Sequence, residues 1–356
     1  MADMYFNSGE LWTEQLHRRF ACFAANAREQ LVIAAPFITR RALEEMLRTV
    51  TVRDVIVVTT WRAADILRGS SDLELYPYLR SRGWELRLHK HLHAKLIVVD
   101  WRSAIISTAN ITQRGIGLVE PGNLECAHLI GSLRPIDQFW VLTLVGDSSP
   151  MEDEWYTEFL KWLRSSEGKD ASKLLKDGCV FDPRKRHVLS TTGVPATRSP
   201  RQLLANLEAI LRNGVGTLAV DARRATLHDV SLLALEWGDL RAHKVPVLRD
   251  RFFKLPIVQD LLGFIDGGRY FGEVKHWLRQ WSCEMPPLKR RDLTSCVQVL
   301  FTWLVELESG SYEVRRPHYS QFITPIPVNG ALLPTLGEDV YGRGAFETPP
   351  YRCTGL

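Results

Sequence analysis

Short, nearly continuous apolar runs, Leu31 to Phe37, Val55 to Thr59 and Leu96 to Val99, recur between segments with apolar residues at helical spacing. A strand apolar on both faces must be covered on both, and helices laid over a mainly parallel or mixed sheet do this. The spacing predicts a helix over Glu10 to Glu29, then the strand from Leu31, a helix over Arg41 to Arg48 and the strand at Val55. A helix over Leu73 to Arg82 stops at Gly83 and leads to a strand at Trp84 to Leu88. Leu96 to Val99, Ala104 to Ser107 and Cys126 to Ile130 read as further strands, with a turn at Asp100 to Arg102. An amphipathic helix over Glu152 to Arg164 closes this part. The expected fold class is α/β, a mixed sheet flanked by helices.

At 356 residues the chain has length for about two domains. Residues 1–165 form the first; 166–198, with scattered Gly and Pro, read as a linker; 199–356 form the second. Ser199-Pro200 is a helix start, a capping serine with proline at the first position, for a helix to about Arg212. Thr217 to Asp221, Leu227 to Ala242 and Val245 to Leu248 resemble one βαβ unit, a loose echo of the one at 31–59. Helices are expected at Ile257 to Ile265, Glu273 to Trp281 and Asp292 to Leu307. The second domain is thus largely helical α/β, ending from Pro317 in irregular chain or a short hairpin.

Residues 1–165 carry 19 Lys and Arg against 20 Asp and Glu, and the remainder 26 against 21, so the positive surplus lies in the carboxy-terminal part. It clusters at Arg184-Lys185-Arg186, Lys289-Arg290-Arg291 and Arg315-Arg316, runs that suit a polyanion and equally mark solvated loops or helix ends. Six scattered cysteines include no C-x-x-C pair and read as reduced, mostly buried thiols. No apolar run reaches membrane-helix length, and the first residues do not read as a secretory signal; a cytoplasmic location away from membranes is the expectation.

The chemistry-bearing segment runs from His93-Ala94-Lys95 through Asp100 to Ser107-Thr108-Ala109-Asn110. Strand alternation turns His93 and Lys95 to one face, and Asn110, past the next strand, can bring an amide beside them. An imidazole, an ammonium and an amide with no carboxylate cluster nearby suit a phosphate ester and call for neither metal nor other cofactor. His89 and His91 lie close by, interleaved with Lys90, without the acidic partners expected of a metal site.

The segment resembles the signature of the phospholipase D-like superfamily: H-x-K, four residues, D, six residues, G-S-x-N. The spacing agrees throughout, with Ser107 where glycine is usual and Thr108 where serine is usual; Asn123-Leu124-Glu125 resembles the family's following N-x-E. The resemblance spans roughly residues 25–165. It implies that His93 attacks phosphorus to form a phosphohistidine and that a second imidazole protonates the leaving oxygen. It also implies that Lys95 and Asn110 hold the nonbridging oxygens, beside the Ser107 and Thr108 pocket wall. Glu125 would accept the other imidazole N–H of His93, and Asp100 would organise its loop.

No second H-x-K occurs in the chain, so two histidines require two chains, simplest as a twofold homodimer. The resemblance to single-motif members implies a nuclease with a separate carboxy-terminal module for nucleic acid or a partner protein, in bacterial defence. The alternatives are a phospholipase or phosphatidyltransferase, and a non-catalytic binding subunit of a larger complex. Trp61-Arg62 follows a strand, where substrate loops often lie in α/β folds, and an ordinary connection explains it equally. The stretch Tyr312-Glu313-Val314-Arg315-Arg316-Pro317-His318-Tyr319 interleaves aromatic and basic residues, as base-stacking surfaces do, and a buried helix end explains it equally.

Overall fold

A computed structural model describes residues 9–166, 193–241, 244–281, 290–317 and 320–326. Packing groups them into two compact units. The first takes the described residues up to Ser166 together with Leu207–Arg223; the second takes 193–206 and the residues from Arg224. Most of the expected linker, with Arg184-Lys185-Arg186, lies outside the described residues.

The first unit is built on an eight-stranded mixed sheet. Its strands are β1 (Leu11–Trp12), β2 (Gln30–Ala34), β3 (Asp54–Thr59), β4 (Glu85–Leu88), β5 (Leu96–Val99), β6 (Ser103–Ser107), β7 (Ala127–Ile130) and β8 (Ser149–Pro150). They stand in the order β1-β7-β6-β5-β2-β3-β4-β8. β2, β3 and β4 are parallel; β2 to β5, β5 to β6 and β6 to β7 are antiparallel. Every residue of β2 is buried, as a central strand covered on both faces requires.

The expected first helix is shorter than its apolar pattern suggests. Leu11 and Trp12 pair with β7, and α1 spans Leu16–Ala24, burying Leu16, Phe20, Phe23 and Ala24. α2 (Arg40–Met46) follows a Thr39 in extended conformation. α3 (Ala63–Leu67) is a short helix after β3, and α4 (Leu75–Ser81) ends in a Gly83 at φ +69° whose N–H reaches the Arg80 carbonyl. That is the left-handed position glycine fills without a Cβ penalty. α5 (Pro135–Asp147) carries Pro135 in its first turn, and α6 (Asp153–Ser166) follows β8.

The β5–β6 turn has Asp100 at φ 52° and Trp101 at φ 60°, both left-handed. Asp100 accepts backbone N–H bonds from Arg28 (3.1 and 3.2 Å to its two oxygens), Glu29 (2.8 Å) and Gln30 (3.0 Å). The Trp101 indole is buried and donates to the Gln30 side-chain oxygen at 2.5 Å, and Arg223 donates to that same oxygen at 3.0 Å. These bonds, distributed over two hairpin residues and one arginine, hold a backbone geometry that costs free energy in isolation.

Residues 207–223 complete this unit by further specific contacts. Val215 N–H donates to the Gln138 side-chain oxygen at 2.6 Å, and Gly214, at φ +86°, leaves no room for a Cβ beside the same side chain. Arg223 is 2% exposed; burial lowers its pKa, opposed by Glu29, Asp54 and Asp100.

The chain continues through α7 (Pro200–Asn213), α8 (Val220–Leu232), α9 (Trp237–Arg241), α10 (Lys244–Phe253), α11 (Pro256–Phe264), α12 (Phe271–Trp281) and α13 (Arg290–Leu307). Three short strands, β9 (Arg269–Tyr270), β10 (Tyr312–Arg315) and β11 (Phe322–Pro325), form an antiparallel sheet ordered β10-β11-β9. The second region is therefore largely helical, but the expected βαβ unit at 217–248 is not formed. Residues 215–217 make a single 3-10 turn ahead of α8. Val245 to Leu248 lie in α10, where Pro246 sits in the first turn, Val245 is half exposed and Leu248 and Phe252 supply the buried face. Four residues containing a proline carry too little pattern to separate strand from helix. β10 and β11 form a hairpin that starts before Pro317, whereas most of the stretch from Pro317, expected to be irregular chain or a short hairpin, lies outside the described residues. No described helix is long and apolar enough to cross a membrane.

Candidate active site

The site lies where the chain enters β5. Leu92 is buried and anchors the approach, with its N–H bonded to the His89 carbonyl. His93 is exposed, Lys95 is half-buried, and the Lys95 ammonium donates to the His93 carbonyl at 3.1 Å. The β5–β6 ladder extends one step past the strand, Ser107 N–H reaching the Lys95 carbonyl at 3.0 Å. A cavity of about 450 Å³ opens at this end of the ladder. Its wall contains His93, Lys95, Ser107 and Thr108, and the apolar side is Leu96, Ile106 and Trp140.

Ser107 and Thr108 are structurally occupied. The Ser107 hydroxyl donates to the Cys126 carbonyl (3.1 Å) and accepts from Ala109 N–H (2.9 Å), closing the turn after β6. Thr108 donates to Glu125 at 2.5 Å and accepts from Cys126 N–H at 3.0 Å. Glu125 also accepts from the Asn123 amide at 3.2 Å. Glu125 is therefore engaged by Thr108 and Asn123, where the resemblance implies His93, because a hydroxyl at 108 reaches the carboxylate from the adjoining β6 end. Asn110 follows this turn and accepts Phe37 N–H at 3.3 Å, tying the loop after β6 to the loop after β2. The Ile38–Ile111 bridge runs alongside.

Asp100 stands apart from this group. At about 3.3 Å per residue, β5 puts it roughly 16 Å from Lys95, and its carboxylate accepts from the backbone N–H groups of residues 28–30. Motif proximity in sequence here joins one residue of the pocket to one of the fold.

Ile106 and Trp140 escape a reading of the motif. Ile106 is 52% exposed in the middle of a sheet, and Trp140 is 51% exposed on α5, whose apolar run has no helical stripe to reveal which side faces out. His89 and His91 stack edge to face 6.4 Å apart, and Arg62 donates to the Lys90 carbonyl at 3.3 Å. Among the described residues no three His, Cys, Asp or Glu side chains are grouped to hold a metal ion. Of the described cysteines, Cys22 is exposed and Cys126 and Cys296 are half-buried, more open than the apolar reading of thiols predicts.

Residues 21–140 match the family model described as a cardiolipin synthase, phospholipase D-like domain. This part of the chain belongs to the phospholipase D-like superfamily. The matched span contains the whole pocket wall, from His93 to Trp140. Among solved structures, Nuc, a phospholipase D family member from Salmonella typhimurium, is 18% identical, over 40% of this chain and 97% of its own, with a TM-score of 0.33. NucT from Helicobacter pylori is 14% identical over 48% and 96%, TM-score 0.27. Phosphatidylserine synthase from Haemophilus influenzae Rd KW20 is 12% identical over 47% and 45%, TM-score 0.33. No curated protein sequence matches the chain.

Proposed function

We propose that this phospholipase D-like chain is a metal-independent phosphodiesterase acting on nucleic acid, with catalysis carried by residues 1–165. The observation that carries the reading is the open cavity into which His93 and Lys95 both face. An imidazole nitrogen of His93 bonds to phosphorus as the bond from phosphorus to the leaving oxygen breaks, and the Lys95 ammonium stabilises the nonbridging oxygens. A second imidazole gives its proton to that oxygen. Water then bonds to phosphorus, the phosphorus–nitrogen bond breaks, and the second imidazole takes the proton of the water. Asn110 and Glu125 serve the same site as phosphate donor and as the acidic partner of the loop, and Thr108 holds Glu125 in place.

The second imidazole is His93 of a second copy. Support comes from the single H-x-K in the chain and from the uncovered apolar surface of Ile106 and Trp140 beside His93. A self-complementary patch on a twofold axis would cover that surface and bring two half-sites together.

The test is cleavage of single- and double-stranded DNA and of RNA in EDTA. Wild type is expected to cut at least one of them, and His93→Ala to be slower by at least about three orders of magnitude. Equal cleavage by His93→Ala, or none by wild type, overturns the proposal. Headgroup release from phospholipid vesicles in place of nucleic-acid cleavage would give a lipid phosphodiesterase.

A further inference from the structure

The described part of the stretch Tyr312 to Tyr319 has a setting of its own within the second unit. Residues 312–315 form β10, which pairs with β11 so that Arg315 stands opposite Phe322; His318 and Tyr319 lie outside the described residues. Arg315 and Arg316 are both exposed, one at the end of the strand and one at the start of the connection.

The order of elements around the hairpin is restrictive. From residue 256 the chain runs helix α11, strand β9, helix α12, helix α13, strand β10, strand β11, and the first strand pairs with the last. This is the order of a winged helix–turn–helix, in which the second helix of the pair is presented outward and the hairpin stands beside it. The packing joins these parts into one body. Phe264 of α11 stacks on Trp277 of α12 at 5.5 Å, Phe271 meets Phe301 of α13 edge to face at 5.8 Å, and Lys275 of α12 donates to Thr294 of α13 at 3.3 Å. Tyr270 of β9 lies against Phe322 of β11 at 4.9 Å, and Gly268, at φ +86°, passes too close to the Phe322 ring for any Cβ.

α13 buries Leu293, Val297, Leu300, Phe301, Trp303 and Leu304, which fixes its orientation. The opposite stripe carries Ser295 and Gln298, both exposed, and a half-buried Thr302. Between Asp292 and Glu306 the helix has no carboxylate, and its first two residues are Arg290 and Arg291. An uncharged stripe of hydroxyl and amide groups on a helix of about 27 Å suits base edges in a major groove, where Gln pairs with adenine and Ser or Thr with several bases. Arginines on the adjacent hairpin suit backbone phosphates. A helix that merely faced water would be expected to bring Lys and Glu to this stripe.

We propose that α13 and the β10–β11 hairpin bind duplex DNA, with Ser295, Gln298 and Thr302 toward the major groove and Arg315 and Arg316 on phosphates. The site is separate from the His93 cavity in composition and chemistry, and the proposal stands whether or not the chain cleaves nucleic acid.

The experiment measures binding of the full chain carrying His93→Ala to a mixed-sequence 30-base-pair duplex as salt is raised. In that background Arg315→Ala with Arg316→Ala is expected to weaken binding about tenfold at 0.1 M salt and to reduce the log–log salt slope by about 2. Gln298→Ala is expected to weaken the preferred sequence, once selected from a random pool, by about 5- to 100-fold and to leave random duplex unaffected. On an otherwise wild-type chain the arginine variant should melt at the parent temperature and hydrolyse bis(p-nitrophenyl) phosphate at the parent rate. Parent-like affinity and slope in the arginine variant overturn the proposal, as does a parent that binds no duplex. Loss of hydrolysis in wild type alone bears on the His93 site and leaves this one standing.

Discussion

Asp100 and His93 belong to one sequence motif yet work on different problems. The Asp100 carboxylate satisfies the N–H groups of three consecutive residues at the start of β2, a charge-assisted arrangement in which the acceptor cannot be replaced locally. Asp100→Ala is expected to lower unfolding free energy by about 2–4 kcal/mol, read from urea denaturation, with kcat per folded molecule unchanged; a kcat loss at full folding would place Asp100 in the chemistry. Asp65 has the opposite balance. It is buried on α3, one of its oxygens has no hydrogen-bond partner among the described residues, and burial raises its pKa above 3.8 against the lowering effect of Arg62 and Arg68. A folded-state pKa above the unfolded one means that ionisation costs stability at neutral pH, and that the cost disappears as pH falls through the raised pKa to below 3.8. Asp65→Asn is expected to raise Tm by about 1–3 °C at pH 7, with the gain gone near pH 3.5; a loss at pH 7 would mean that Arg62 and Arg68 outweigh burial.

At the scale of elements, several segments depend on one neighbour rather than on their own pattern. The 3-10 turn at 215–217 stays on the first unit through Gly214, whose left-handed φ and contact with Gln138 exclude any side chain. Gly214→Ala combines a φ penalty with a clash and is expected to cost about 2–4 kcal/mol by chemical denaturation, whereas Gly238→Ala, in open space on α9, should be neutral or slightly stabilising. α5 illustrates why an element can be missed. Residues 135–147 are apolar on nearly every side, because the helix is buried along most of its length, so no stripe recurs at the helical period. Its Pro135 and the Arg134–Asp137 pair were the local start signal. The pair also holds the Asp137 pKa below 3.8 through the Arg134 hydrogen bond.

For the whole molecule, the decisive question is whether one His93 or two act together. If each active centre needs His93 from both copies, mixing wild type with His93→Ala after subunit exchange gives activity that falls as the square of the wild-type fraction; a linear decline would mean that each chain works alone. Much of this architecture was legible in advance. Apolar strand runs at 31, 55 and 96 and the Gly83 stop are local facts, readable because a strand covered on both faces must be apolar at every position and because glycine alone enters the left-handed turn freely. The motif spacing of His93, Lys95 and Asn110 is likewise readable in the sequence, but His93 and Lys95 precede β5, which begins at Leu96, so the expected strand alternation does not place them. What the chain order leaves open is which distant residues meet. Thr108 takes Glu125, Trp140 arrives beside Ile106, Arg223 reaches Gln30, and the segment 245–248 turns helical. Each depends on packing between residues from 17 to almost 200 positions apart or on burial of a helix face, and no local spacing encodes those.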